Sequence, residues 1–327
     1  MNPAPTLALC VPAYNASSFL GRLLEGAQRQ TVPFDEIWVY DDASRDDTAE
    51  VARRFGAQVV RGERNVGCSA GKNVLVQRTR CDWLHFHDAD DALEPNFVEC
   101  ARRWMTQANP PDVVFFAYRS LDHDDGRPRG IRTFDAAALR RDPLAYCLSE
   151  QINPFCGLYR RDAFLKAGGW DEDPRVLQSE DQAGHLRLAL AGLRFDADPA
   201  MTVINYMREG SMTTSNLPGA QRSTYQVMLK ASAAVPPPYL AIVVRRLWST
   251  ASLSASYHDW ENADRAADLA LRLQPQAPVP GPVWFRWLMR RHPHFALRLR
   301  ERLIRLTNPG MRRHPVHQQK PKIKPGT

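Results

Sequence analysis

The sequence predicts an α/β fold: a mostly parallel sheet flanked by helices, followed by a C-terminal α-helical appendage. Three observations carry this. Short apolar runs alternate with helix-period stretches over the first 90 residues, in the order β-α-β-α-β-α-β. Each of four connections opens with a polar cluster, at Tyr14-Asn15, Asp41-Asp42, Asn65–Gly67 and Asp88–Asp90. After Asn216-Leu217-Pro218-Gly219 the hydrophobic period becomes helical. With 327 residues the chain can bury one large core and still carry an appendage.

Thr6–Val11 is an apolar strand expected to stop at Pro12. Ser17 or Ser18 can cap a helix whose Phe19, Leu20, Leu23, Leu24 and Ala27 keep a 3.6-residue period. Ile37–Tyr40 is the second strand, and Asp46 or Ser44 caps the helix that runs through Val51 and Phe55. Gln58–Val60 is the third. The loop Arg64–Gly67 then leads into a helix from about Ser69 to Gln77. The fourth strand, Trp83–Phe86, runs through His87 into Asp88, Asp90 and Asp91. Further on, Asp112–Tyr118 is a strand, Leu121–Thr133 an exposed hairpin or loop, and Pro154–Tyr159 a strand returning to the sheet. Asp181 begins a helix through His185, Leu186 and Leu188–Leu190, where Ser179-x-x-Gln182 has the form of a capping box.

The last third reads as helices over 220–235, 239–257 and 260–273, then a linker with three prolines over 276–282. Val283–Arg291 and His294–Leu306 are basic and amphipathic. Phe295, Leu299, Leu303 and Leu306 form one stripe, with Arg298, Arg302 and Arg305 alongside. From Asn308 onward Pro, His, Gln and Lys dominate, and disorder is expected. The expected division is therefore 1–217, 218–282 and 283–327.

Charge follows this division. The whole chain carries +7, but twelve Lys and Arg against Glu301 alone give the stretch from Val283 a net +11, leaving −4 for the 282 residues before it. A basic tail on a mildly acidic body points to an anionic surface near the tail, either a membrane or nucleic acid, and a nucleic-acid-binding protein acting through that tail is the less favoured alternative. No nucleic-acid module is recognisable, so nucleic acid is not expected as a partner. The six cysteines show no CxxC spacing, and neither a bilayer-length apolar run nor a signal-peptide pattern is present. The expectation is a cytoplasmic protein, peripheral on the inner membrane face.

In an open α/β sheet, ligands sit at the carboxyl ends of the strands, where the four clusters fall. There is no G-x-G-x-x-G and no G-x-x-x-x-G-K-[ST], which removes the main support for dinucleotide and P-loop sites. What remains is a nucleotide held by side chains and a metal-bridged diphosphate. Asp88 and Asp90 supply hard oxygens suited to Mg²⁺ or Mn²⁺. Asp42 can accept hydrogen bonds from a base or ribose, Tyr14 can flank the base, and Lys72 can meet a phosphate. Each has a plainer reading: Asp41 and Asp42 as capping acids, Lys72 as a solvated helix residue, Tyr14 as a packing ring.

In order along the chain, Val11-Pro12-Ala13-Tyr14-Asn15 resembles the V-P-x-Y-N opening of family 2 glycosyltransferases of the GT-A fold. Asp41–Thr48 resembles their D-D-x-S-x-D-x-T, and Asp88-Ala89-Asp90-Asp91 their D-x-D-D. Asn65-Val66-Gly67 with Gly71-Lys72-Asn73 is similar to their N-x-G…A-R-N, Lys72 standing where Arg is usual. Gly168-Gly169-Trp170-Asp171-Glu172 resembles the G-G-F-D-E loop and Glu180-Asp181 the E-D pair, so the likeness spans roughly residues 6–215. It implies an inverting transfer of sugar from a nucleoside-diphosphate donor to a glycan or glycolipid acceptor, in cell-surface polysaccharide synthesis. Pro12, Ala13, Tyr14, Asn15, Asp42, Asn65, Gly67, Lys72 and Ala89 would lie on the donor side. Asp88 would face ribose and metal, with Asp90 the principal metal ligand. Trp170 and Asp171 would lie on the acceptor side. Asp181 would be the general base and Glu180 its orienter; a helix N-terminus favours the ionised carboxylate that a base requires. Arg208 stands where the family often has His in Y-R-x-H-x-G-S, and is expected to clamp the diphosphate and lessen metal dependence. A sugar-phosphate nucleotidyltransferase is the alternative on this fold, but it wants a basic, glycine-rich loop after the first strand that Ala13–Ala16 does not offer.

Overall fold

The computed structural model describes residues 4–208, 216–277, 279 and 281–313. The expectations for Glu209–Met212, for part of the proline linker and for residues 314–327 lie outside them. The chain forms two compact units, Met1–Glu172 with Glu180–Arg208, and Asp173–Ser179 with Glu209–Thr327.

The first unit is built on one sheet in the order β3 (Gln58–Arg61), β2 (Glu36–Asp41), β1 (Leu7–Ala13), β4 (Trp83–Phe86), β8 (Gly157–Arg160), β6 (Val113–Asp122), β9 (Phe195–Met207) and β5 (Ala92–Leu93), with β7 (Pro128–Arg132) paired to β6. β1 (Leu7–Ala13), β2 (Glu36–Asp41), β3 (Gln58–Arg61) and β4 (Trp83–Phe86) run parallel. Helices α1 (Ser17–Gln28), α2 (Thr48–Arg54) and α3 (Cys68–Arg78) connect them. Leu7–Val11 and Leu84 are fully buried, as expected of strands covered on both faces. β8 (Gly157–Arg160) then enters antiparallel between β4 and β6 (Val113–Asp122). β6 pairs in parallel with the long β9 (Phe195–Met207), which also carries β5 (Ala92–Leu93), and helices α4 (Phe97–Met105), α5 (Ala136–Arg141), α6 (Pro143–Ser149), α7 (Arg161–Lys166) and α8 (Glu180–Leu190) complete the unit's regular elements.

Several boundaries differ from expectation for local reasons. β1 does not stop at Pro12; it continues to Ala13, with Pro12 in register with Tyr40. The Cys10 carbonyl accepts from His87 N–H on the β4 side, and the Ala13 carbonyl accepts from Asp42 N–H on the β2 side. By alternation the Pro12 nitrogen faces the β4 side, beyond the last β1–β4 pair, where no ladder donor is needed. Ser17 and Ser18 lie inside α1, whose N-cap is Ala16; Asp47, with no side-chain cap bond, holds that place before α2. Asp46 instead accepts from the first N–H of both helices, Ser17 at 3.0 Å and Thr48 at 3.1 Å. β6 runs to Asp122 and forms a hairpin with β7 (Pro128–Arg132). Pro154–Cys156 is a 3-10 turn, so the returning strand is shorter than its apolar run. The capping box is not made. The Ser179 hydroxyl bonds Thr224 Oγ1 at 3.1 Å, and the Gln182 amide donates to the Cys147 and Leu148 carbonyls.

The second unit is helical: α9 (Leu217–Ala234), α10 (Leu240–Ser256), α11 (Trp260–Leu273), α12 (Val283–Arg291) and α13 (Pro293–Thr307). Ala263, Ala266, Ala267 and Ala270 are buried on α11, and small side chains there let α10 close against it. Asn262 on α11 donates to Ser254 on α10 at 2.8 Å. Arg298 on α13 grips Asp264 with two 2.9 Å bonds. Gly310–Arg313 forms one more short helix, so regular structure extends past Asn308, where disorder was expected.

Candidate active site

Because β1, β2, β3 and β4 are parallel, their carboxyl ends gather the four polar stretches at one sheet edge. The first two stretches are stitched together. Asn15, at φ 49°, donates its backbone N–H to Ser44 Oγ (2.9 Å) and accepts from Arg45 N–H on its side-chain oxygen (2.9 Å). Ala16 N–H goes to Thr48 Oγ1 at 2.8 Å. The Asp42 carboxylate accepts from Val66 N–H at 2.8 Å and Gly67 N–H at 2.9 Å, which fixes the loop at Asn65–Gly67. Asp42, Ser44, Asp46 and Thr48 therefore each bind the backbone of a neighbouring loop or helix start. Asp42 was expected to meet a base or ribose directly. Here it shapes the loop, while each of its oxygens keeps a further lone-pair direction. Tyr14 is 48% exposed at the same edge, beyond the buried Ala13.

The acidic turn after β4 divides its labour. Asp91 N–H bonds the Asp88 carbonyl at 3.2 Å. The Asp91 carboxylate is buried and accepts from Asn205 Nδ2 (3.0 Å) and Tyr206 N–H (2.8 Å) on β9. Asp91 is thus an anchor for the turn that carries Asp88, Ala89 and Asp90. Arg22 donates to the Asp90 carbonyl at 2.5 Å while lying 3.7 Å from the Tyr206 ring centre. Arg208 Nη2 stands 3.2 Å from Asp90 Oδ2, with its guanidinium over Phe19. His85 and His87, just before the turn, bond each other at 2.9 Å; burial pushes His85 down to about 3 and His87 well below its usual value. Both are neutral core residues.

Lys72 is not at the surface. It is 1% exposed, with Nζ 3.8 Å from Asp181 Oδ1 and 5.0 Å from the Trp170 ring centre. Burial works to discharge it, yet Cys68 and the carboxylates of Asp181, Asp88 and Glu180 outweigh that and hold it charged. One ammonium thus faces three carboxylates. Burial pushes Asp88 up to about 7; Lys72 opposes this, and Asp181 and Asp90 add to it. Burial and the neighbouring Asp181 push Glu180 up to about 8. Asp181 is raised by burial against the pull of Lys72. Lys72 therefore stands beside the expected base and is not the solvated helix residue of the plainer reading.

Trp170 also moves from its expected role. A ring flanking sugar or acceptor must be open, but Trp170 is 1% exposed. It lies among Phe86, Tyr159, Phe164 and His185, with ring centres 5.4–5.8 Å away. It forms the floor under Lys72. Its loop is held by two residues whose roles sequence reading missed. Asn73 accepts from Trp170 N–H (2.9 Å) and donates to the Trp170 carbonyl (3.0 Å) and to Glu172 (2.7 Å). Arg187 donates to the carbonyls of Gly168, Gly169 and Trp170 and pairs with Asp171 at 3.3 Å. Asn73 was visible as the last residue of Gly71-Lys72-Asn73; nothing local marked Arg187.

The sheet and its polar edge define a class before a family. A solved structure, Staphylococcus aureus TarS 1-349 in complex with UDP-GlcNAc, shares the fold with a TM-score of 0.69, 18% identity and 92% of each chain covered. The mannosyltransferase PcManGT of Pyrobaculum calidifontis, in complex with GDP-Man and Mn²⁺, has a TM-score of 0.57 at 18% identity, covering 94% of this chain and 82% of that one. The architecture is the GT-A transferase fold with a helical C-terminal region. Residues 8–168 match the family model for Glycosyl transferase family 2. Among curated relatives, Escherichia coli chondroitin synthase is 33% identical over 124 residues, 37% of this chain and 18% of that protein. An uncharacterized glycosyltransferase of Haemophilus influenzae is 34% identical over 176 residues, 54% and 60% of the two chains. The chain thus spans less than two thirds of the length of these relatives. No helix among the described residues is long and apolar enough to cross a membrane.

Proposed function

We propose that this chain transfers a sugar from a nucleoside-diphosphate donor to a hydroxyl of a glycan or glycolipid, inverting the anomeric carbon, in the synthesis of a cell-surface polysaccharide at the inner membrane face. One observation carries the reading: Lys72, on the helix that directly follows the Asn65–Gly67 loop, pairs with Asp181 at 3.8 Å, so the base-side carboxylate stands beside the donor edge. The named activities of the relatives and the nucleotide sugars in the structural neighbours support the same class.

In this reading Tyr14, Asn15 and the Asp42-held loop receive the nucleoside. Asp181, 19% exposed and backed by Lys72, takes the proton from the acceptor hydroxyl. The freed oxygen attacks the anomeric carbon, the bond to the diphosphate breaks, and the nucleoside diphosphate departs from the Asp88–Asp90 side. Glu180 and Lys72 set the charge state of that base. Asp88 and Asp90 fit a hard divalent cation, because they are carboxylates two apart and Asp88 has more negative than positive neighbours. Among the described residues no group of three or more His, Cys, Asp or Glu forms a metal site, so phosphate oxygens and water would complete the shell. Such a cation, when bound, neutralises charge on the departing diphosphate.

A thermal-shift screen of nucleoside diphosphates with and without Mn²⁺ tests this. One base should stabilise the protein, and at a hundredfold excess over Kd the gain is about 2.7 kcal/mol. Asp42→Ala and Asp90→Ala should both abolish it. A shift that survives both substitutions counts against the site. Arg208 is proposed to share stabilisation of the leaving group and so lessen metal dependence. Complete loss of activity in EDTA, with an unaffected Arg208→Ala variant, would defeat that.

A further inference from the structure

We propose that the outward face of α12 and α13 is a bilayer-seating surface that inserts aromatic side chains among anionic lipid headgroups. This deepens the membrane placement in the proposed function by naming the surface and how it binds. The two helices are amphipathic in an unusual sense. Their inner sides are already satisfied: Phe285 and Met289 are buried from α12, and Ala296, Leu297 and Glu301 from α13. A helix whose other side met only water would carry polar residues there. Instead Val283, Trp284 and Trp287 are 73%, 55% and 62% exposed, and Phe295 and Leu306 are 59% and 79% exposed. Phe295, Leu299, Arg302 and Leu306 fall within one narrow sector of α13, on the side opposite Leu297 and Glu301. Phe295, Leu299 and Leu306 of the apolar stripe therefore lie opposite the buried side of α13.

The arginines sort in the same way. Arg298 is held by Asp264, and Arg305 by Glu301 at 2.8 Å and the Ser256 carbonyl at 2.9 Å, so these two fasten α13 to its own unit. Arg286, Arg291 and Arg302 are exposed, and among the described residues no ion pair reaches them. From Val283 to Arg313 the one acid is Glu301, which is 1% exposed. The outward face thus presents tryptophan, phenylalanine, leucine and arginine with no negative charge. Tryptophan is the side chain favoured at headgroup depth, and exposed arginines beside it complement anionic lipid. A second copy is a poorer occupant, because a two-fold contact would set these arginines against themselves. The sequence beyond Arg313 adds Lys320, Lys322 and Lys324 and no acid.

The experiment is co-sedimentation of the full chain with phosphatidylcholine vesicles, with and without phosphatidylglycerol, together with tryptophan fluorescence. The wild type should bind the anionic vesicles, weaken in high salt and shift its emission to the blue. Reversing three arginines (R286E/R291E/R302E) should weaken binding by more than about a hundredfold. W284A/W287A should bind weakly and lose the blue shift. Equal binding to neutral and anionic vesicles, or variants that bind like the wild type, would overturn the proposal. So would light scattering that shows a dimer abolished by W284A/W287A, because the face would then belong to a second copy. The nucleoside-diphosphate thermal shift should be unchanged in both variants. Vesicle binding without any nucleotide response would sink the proposed function and leave this surface standing.

Discussion

Asp181→Asn is expected to lower turnover by about 10²–10⁴-fold while leaving nucleoside-diphosphate binding intact, since an amide cannot take the acceptor proton. The partners of Asp181 make this specific. Glu180 is buried, and burial together with the neighbouring Asp181 pushes its carboxyl up, which favours its protonated form. Asp181 sits 3.8 Å from a buried ammonium that favours its ionised form. Glu180→Gln should therefore cost less than Asp181→Asn. The sign of the pH dependence follows. A base works only when deprotonated, and burial raises the Asp181 carboxyl, so kcat/KM should climb as pH rises through a limb lying above the ordinary aspartate range. Lys72→Met removes the opposing charge and should move that limb to higher pH. A limb unmoved by Lys72→Met would separate Lys72 from the base.

Gly184→Ala should destabilise the protein by about 1–3 kcal/mol, read as a lower denaturant midpoint at unchanged slope. Alanine in a helix ordinarily gains up to about 1 kcal/mol over glycine. Here the added Cβ would fall 2.1 Å from Trp170 Cε3, far inside contact distance. The ring cannot retreat easily, because Phe86, Tyr159 and Phe164 surround it and Asn73 and Arg187 hold its backbone. Overpacking should therefore win. Because Lys72 stands over the same ring, a weaker base-side cluster should accompany the loss of stability. A stabilised Gly184→Ala variant would mean that Trp170 does not lodge against α8 (Glu180–Leu190).

Much of the parallel half of the sheet was legible because its central strands, β1 and β4, are buried on both faces and read as continuous apolar runs, Leu7–Val11 above all. The polar edge was legible for the same reason, since acids directly after such runs stand out. What the sequence could not show was direction. Asp91 and Asp90 are adjacent, yet Asp91 turns to Asn205 and Tyr206 while Asp90 meets Arg208. Lys72 and Trp170 look solvent-facing in one dimension. They are buried because residues about a hundred positions apart stack in the fold, Asn73 clasping the Trp170 loop. The helix caps failed on a similar point. Asp46 serves two helix starts at once, which no local motif describes.

The most direct measurement uses the donor that the thermal-shift screen selects and follows transfer by proton NMR of the anomeric signal. With Asp181 drawing the acceptor proton on one side and the diphosphate leaving on the other, the product should form with inverted configuration, and Asp181→Asn should form almost none. A product of retained configuration, or an Asp181→Asn variant as active as the wild type, would contradict the assignment of the base.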